Sequence, residues 1–235
     1  MELWLGEQTA FLLNQGEGSL LNVQGNLGFI DIQGSLSNNS WLDTTYTDIR
    51  NALVAAANDP AVEHIVLNMD SPGGAVSGLF DVAQLVRYVN DNVKPVVAHT
   101  SGKMTSAAYA IGAAAGKVYA SASASLGSVG VVGVHFDMSK YYEQEGIVPT
   151  VLYAGEEKTA GNPYEPLSDK AKAVLQKQMD SSYQIFIDHV AEMRNRPQDE
   201  VKRNMAEGRV FTGQEAMNYG LIDGVMSLDN LVHKL

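Results

Sequence analysis

The 235-residue chain contains no cysteine. Disulfides, thiol nucleophiles, zinc-finger ligation and cysteine-bound iron–sulfur clusters are excluded together. Basic residues are few: 16 Lys and Arg stand against 27 Asp and Glu, a formal net charge of −11. Sequence-independent nucleic-acid binding needs a basic surface that displaces counterions, so no nucleic-acid partner is expected. Nowhere do about 18 apolar residues run together, so no membrane span is expected. The opening segment, MELWLGEQTAFLLNQGEG, has neither a basic start nor a sustained apolar stretch and reads as lacking a secretory signal. No repeat, low-complexity tract or Pro-rich linker breaks the chain. The five histidines, His64, His99, His135, His189 and His233, show no metal-ligand spacing, and neither a metal nor a cofactor is expected. The Gly-x-Ser-x-Gly elbow, the Walker A loop and the Gly-x-Gly-x-x-Gly fingerprint are also missing.

What remains is a folded globular chain, 45% hydrophobic and 18% charged. Residues 1–26 read as an N-terminal arm, either an edge hairpin against a neighbour or a partly ordered terminus, with an apolar patch at Phe11, Leu12 and Leu13. Residues 27–235 read as one domain with a helical C-terminal part. Strands are expected at 27–32, 64–69, 95–99, 117–120, 129–134 and 148–153, with Arg209-Val210-Phe211 extended. Helices are expected at 43–58 (capped by Asp43 or Thr44), from Phe80 to Asn92, at 104–115, 168–194 and 198–207, and from Thr212 to Tyr219. Strands alternating with helices at this spacing indicate an α/β fold with a largely parallel sheet.

Four segments carry residues capable of chemistry. Asp70-Ser71-Pro72-Gly73-Gly74 follows an apolar strand; it reads as a tight turn before a helix, or as amides turned towards an oxyanion. Ser106 stands where a strand and loop give way to an Ala-rich helix. Its hydroxyl is an N-cap or a nucleophile, and Thr105 could cap as well. Ser128 lies between glycines in Leu126-Gly127-Ser128-Val129-Gly130. Lys158 lies in a Gly-flanked loop, where a lysine is ordinarily a solvated charge. His64 and His99 sit in apolar strands and read as core or strand-end histidines.

The order of these segments adds to their separate meanings. Asp70-Ser71-Pro72-Gly73-Gly74 is followed by Lys94-Pro95-Val96-Val97-Ala98, Ser106-Ala107-Ala108-Tyr109 and Gly127-Ser128-Val129-Gly130-Val131. Then come Lys158 with Pro163, Gly208-Arg209-Val210-Phe211-Thr212-Gly213 with Ala216, and Gly220-Leu221-Ile222-Asp223. This succession, over residues 27–226, resembles the signal peptide peptidase A family of Ser/Lys serine peptidases. That family also contains the head-maturation (capsid assembly) proteases of tailed phages. The resemblance implies a crotonase-like, Clp protease-like α/β fold. It implies Ser106 as nucleophile, Lys158 as general base, Ser128 as the residue that orients the Lys amine, and the amides around Gly73 and Gly74 as the oxyanion hole. It also implies a homo-oligomeric ring and protein or peptide substrates.

Physical chemistry agrees with such a pair. A serine hydroxyl attacks well only when a base takes its proton, and a lysine serves as that base once desolvation lowers its pKa. A partly buried, apolar cleft around Lys158 is therefore expected. Two departures bear on the biology. Many cellular members carry Gly-Gly after the nucleophile, where Ala107-Ala108 stand here as in phage-type members. Many also carry an N-terminal anchor, and none is seen here. The chain also stops at Leu235, soon after the protease module, which leaves no expected scaffold segment. The reading is a serine endopeptidase that cleaves scaffold, capsid and portal-type proteins inside a phage prohead in the host cytoplasm. The alternatives are a bacterial cytoplasmic peptidase that degrades peptides, a crotonase-fold acyl-CoA enzyme and an inactive assembly protein.

Overall fold

Leu27 begins a long strand whose first residues are largely buried. The computed structural model describes residues 20–38 and 44–235; the patch at Phe11, Leu12 and Leu13 and the candidate cap Asp43 lie outside them. β1 (Leu21–Gln24) folds antiparallel onto β2 (Leu27–Ser37). After β3 (Thr44–Thr45), α1 (Tyr46–Asn58) is capped by Thr45, whose hydroxyl and backbone exchange hydrogen bonds with Asp48. Thr44 is thus in a strand and the cap is one residue later than expected. Asp59 ends this helix before Pro60.

β4 (His64–Gly74) is the hinge of the topology. Its first half pairs in parallel with β5 (Val96–Thr100), while Ser71 pairs with Met104 of β6 (Lys103–Thr105). One strand thereby serves two ladders. β5 pairs with β7 (Lys117–Ala120), and β7 with β10 (Gly224–Val225). β6 pairs with β8 (Ser125–Gly127), and β8 with β9 (Val210–Thr212). Only the β1–β2 and β8–β9 pairs among these are antiparallel. The helices are α2 (Leu79–Asn92), α3 (Ala107–Ala113), α4 (Ser139–Gln144), α5 (Asp169–Arg194), α6 (Gln198–Asn204), α7 (Gly213–Asn218) and α8 (Leu228–Val232).

The expected α/β fold with a mainly parallel sheet is observed, with local corrections. Ser71-Pro72-Gly73-Gly74 is extended strand, not a turn. β2 is long enough to pair with it, and a register shift between Gln33 and Ser35 lies opposite this stretch. Pro72 has no N–H to contribute to a ladder, which suits an irregular position. The following helix starts at Leu79 behind Gly78 (φ 83°), so the Gly73 and Gly74 amides are not at its N-terminus. The Ala-rich helix is shorter than 104–115 because Met104 belongs to β6. Segments 129–134 and 148–153 are not strands: they have no ladder partner, and Val132, Val148 and Leu152 are 87%, 88% and 91% exposed. α4, β10 and α8 are additions.

Ile30, Ile32, Ile65, Leu67 and Ala98 form a dry sheet interior, and every residue of α3 is buried. Small side chains let α3 approach closely: a methyl on Gly112 would come within 2.2 Å of the Met104 sulfur. Two compact units are resolved, one up to Gly130 together with Phe186–Leu235, the other Val131–Ile185. In the second, α4 and the N-terminal two-thirds of α5 accompany largely irregular chain.

Candidate active site

Thr105 ends β6, and Ser106 turns the chain into α3 with φ 53° and ψ −124°. A non-glycine residue pays on the order of 1–3 kcal/mol to hold such a conformation. Ser106 occupies the N-cap position, yet its side chain makes no capping hydrogen bond. Its backbone is fixed on both sides: the N–H donates to Gly127 O at 2.7 Å, and the carbonyl accepts the Ala110 N–H at 3.1 Å. A half-buried hydroxyl is thus presented on a strained strand-to-helix turn, the local geometry of a nucleophile elbow without its glycine motif.

Gly73 lies directly against this turn. Its φ is 103°, and a Cβ there would stand 2.7 Å from Ser106 Cβ and 2.8 Å from both Ala107 N and Thr105 O. Only glycine fits. The Gly73 N–H donates to Ser71 Oγ at 3.1 Å, and Ser71 is wholly buried. Asp70 secures the same junction by accepting the Lys103 N–H at 3.0 Å. Gly74 has a different environment: a Cβ there would collide with the Leu36 carbonyl at 1.8 Å, so its glycine is demanded by the close approach of β2.

Ser128 follows Gly127 and also has positive φ, 52°. Its N–H donates to Arg209 O at 2.6 Å. Thr105 and Gly127 are register partners, so the Ser106 and Ser128 segments run side by side at the ends of β6 and β8. The first unit therefore brings Gly73, Ser106 and the Gly127-Ser128 segment together.

Lys158 belongs to the second unit. It lies in a turn between Gly155 and Gly161, both of positive φ, with its N–H donating to Gly155 O at 3.1 Å. Its residue is exposed, so the expected apolar cover is not observed around it. The turn carries glycines and acidic neighbours, Glu156 and Glu157, rather than bulky apolar side chains.

The remaining family-like motifs support the site from behind. Tyr109 of α3 is fully buried and donates its hydroxyl to Leu221 O at 2.9 Å; burial pushes the phenol's pKa up. Burial also pushes the Asp223 carboxyl up, but Arg194, the Val118 N–H and Lys117 outweigh it and hold the pKa below the usual carboxylate range. His99 is a buried strand histidine as expected, with Nε2 3.1 Å from Met226 O. Among the described residues no cluster of three or more His, Asp or Glu is placed to hold a metal.

Three residues at this junction stand in the motifs named above without a role of their own in the sequence. Ala107 N, against Gly73, is a backbone amide and has no letter of its own. The roles of Asp70 and Ser71 depend on β4 continuing past Met69 to meet β6. The one available signal for Ser71 was a hydroxyl two residues before a glycine.

Comparison with known proteins now bears on this geometry. The family model for peptidase family S49 matches residues 89–235, and that for Clp protease matches residues 35–126. The chain is 36% identical over 184 residues to capsid assembly protease C of Escherichia phage lambda, covering 78% of this chain and 41% of the phage protein. It is 31% identical over 196 residues to protease 4 of Salmonella typhi, covering 82% and 30% respectively. The chain thus spans less than half the length of either relative. A solved mutant of the 1510-N membrane-bound stomatin-specific protease superposes with a TM-score of 0.57 over 91% of this chain and 86% of that one, at 16% identity. That likeness concerns the fold and agrees with the expected Clp protease-like, crotonase-like architecture. With the family model covering well over half its length, the chain belongs to peptidase family S49, a family of serine peptidases.

Proposed function

We propose that the chain is a serine endopeptidase with Ser106 as nucleophile and Lys158 as general base. The observation that carries the reading is Ser106 itself: a strained, uncapped serine at a strand-to-helix turn, with a glycine that admits no side chain pressed against it. The neutral Lys158 amine takes the Ser106 hydroxyl proton as Oγ attacks the scissile carbonyl carbon. The oxyanion is held by backbone amides at Gly73 and at Ala107, the residue after the nucleophile. Collapse breaks the C–N bond, the proton passes to the leaving amine, and water then hydrolyses the acyl-enzyme. Ser128 orients the Lys158 amine. Gly74 serves this machinery by keeping β4 tight against β2. Because Lys158 is exposed in the chain alone, its service as a base calls for cover from bound substrate or another subunit.

The substrates proposed are scaffold, capsid and portal-type proteins during phage prohead maturation in the host cytoplasm, with the protease acting as a homo-oligomer. Support comes from the likeness to a protein named capsid assembly protease C and from Ala107-Ala108 after the nucleophile. A second reading, a bacterial cytoplasmic peptidase that degrades peptides, is favoured by the likeness to protease 4. Co-expression with head proteins tests both. Wild type is expected to yield discrete scaffold and capsid fragments by mass spectrometry, while Ser106→Ala and Lys158→Ala each abolish them and remain folded. Fluorophosphonate labelling should fall on Ser106. Cleavage by Ser106→Ala at the wild-type rate would sink the assignment, and hydrolysis of short peptides with intact head proteins would favour the second reading.

A further inference from the structure

We infer that Ser71 is a positioning residue for the Gly73 amide. The inference rests on the peptidase reading of Ser106 and adds a residue to it. Ser71 is completely buried at the end of β4, and its Oγ accepts the Gly73 N–H. Its backbone is locked by register with Met104, two residues before Ser106, and its neighbour Asp70 holds the Lys103 amide. Ser71 Oγ is therefore fixed relative to the strained turn.

Gly73 needs such a restraint. It has φ 103° and no side chain to limit rotation of its peptide planes. Pro72, just before it, contributes no N–H. A donor that must meet a developing oxyanion is effective only if its direction is set before the charge appears. Ser71 Oγ supplies that direction. The contact of 3.1 Å is at the long end of the N–H···O range, which suits a hydrogen shared between the hydroxyl and an arriving oxygen. A charged oxygen forms roughly twice as strong a hydrogen bond as a neutral hydroxyl. The Gly73 N–H is thus shared between Ser71 Oγ and the oxyanion in the transition state and returns to Ser71 Oγ afterwards, its covalent N–H bond intact throughout.

The experiment compares the full-length wild type, Ser71→Ala and Ser71→Thr on a cleaved peptide, with active sites counted by fluorophosphonate. Ser71→Ala is expected to lower kcat per labelled site about tenfold or more, to leave KM within about twofold, and to slow phosphonylation in parallel. Ser71→Thr, which keeps the hydroxyl, is expected to recover most of the rate. A lower melting temperature with unchanged kcat per site would mean a merely structural role and would overturn the inference. If Ser71→Ala does not fold, the Gly73 amide resonance of wild type decides. It should move downfield when a peptide boronate binds, and a stationary resonance overturns the proposal. Failure of the wild type to label at Ser106 is a separate result, which removes the peptidase reading and this inference with it.

Discussion

A methyl group at position 73 has no place to go. It would meet Ser106 Cβ, Ala107 N and Thr105 O, all at 2.7–2.8 Å, and two of these are backbone atoms that side-chain rotation cannot move. Gly73→Ala must push the turn out of shape, and it adds the strain of a side chain at φ 103°. We expect it to slow fluorophosphonate labelling of Ser106 by about two orders of magnitude, the usual loss when an oxyanion donor is displaced. Gly25→Ala is the control, since Gly25 also has positive φ but nothing within 4 Å of its added Cβ. Labelling of that variant should match wild type; equal slowing of both would mean that backbone strain alone is responsible. At this scale the residues were legible and their conformations were not. Ser106, Ser128 and Gly73 stood out by motif order. Nothing in a serine's letter tells a capping hydroxyl from one on a strained turn, and the choice was made by β6 ending at Thr105.

Helices and buried strands are legible from periodicity wherever the period serves burial. Ile49 and Leu53 mark the inner face of α1, and the run from His64 marks β4. Val131 to Val134 shows why apolar alternation is insufficient, because a strand also needs a partner edge. α5 and α3 illustrate a further contact that periodicity cannot reveal. His189 of α5 is buried, its Nε2 lies 2.8 Å from Ala110 O, and its ring rests on Phe80 at 5.2 Å. Burial lowers its pKa, against smaller raising effects of the Ala110 carbonyl and Glu192. A histidine whose folded pKa is depressed binds its proton more readily when unfolded. It therefore destabilises the fold as pH drops below the unfolded value, about 6.5. Melting temperature is expected to fall between pH 7 and pH 5. His189→Phe keeps a ring against Phe80 and removes the titration, so its fall should be shallower. His99, depressed by burial in the same direction, leaves a remainder. An equally steep fall in His189→Phe would assign the pH dependence elsewhere.

Across the whole molecule, the two units differ in how they use apolar residues. The first buries the sheet and α3. The second leaves Val132, Val148 and Leu152 at 87%, 88% and 91% exposure, with Phe136 at 71%. Side chains of this size scattered singly need no explanation, but several within one 55-residue unit (131–185) are the usual mark of a contact surface. The chain's formal charge of −11 opposes association at long range, so apolar contact has to supply the attraction and added salt should help it. Leu152→Asp and Val148→Asp test this directly. Neither side chain is buried in the chain, so each substitution should change the stability of the monomer by no more than about 0.5 kcal/mol. In an assembly, each would place a carboxylate in an apolar interface and add negative charge to an already acidic chain. Sedimentation velocity is expected to show wild type as a homo-oligomer whose fraction grows with salt, and both variants shifted to a monomer that stays folded, losing at most the part of the melting temperature that association supplies. If Lys158 owes its cover to a neighbouring subunit, the same variants lose peptide cleavage in proportion to the monomer they contain. Full cleavage by a monomeric variant would place that cover on the substrate instead.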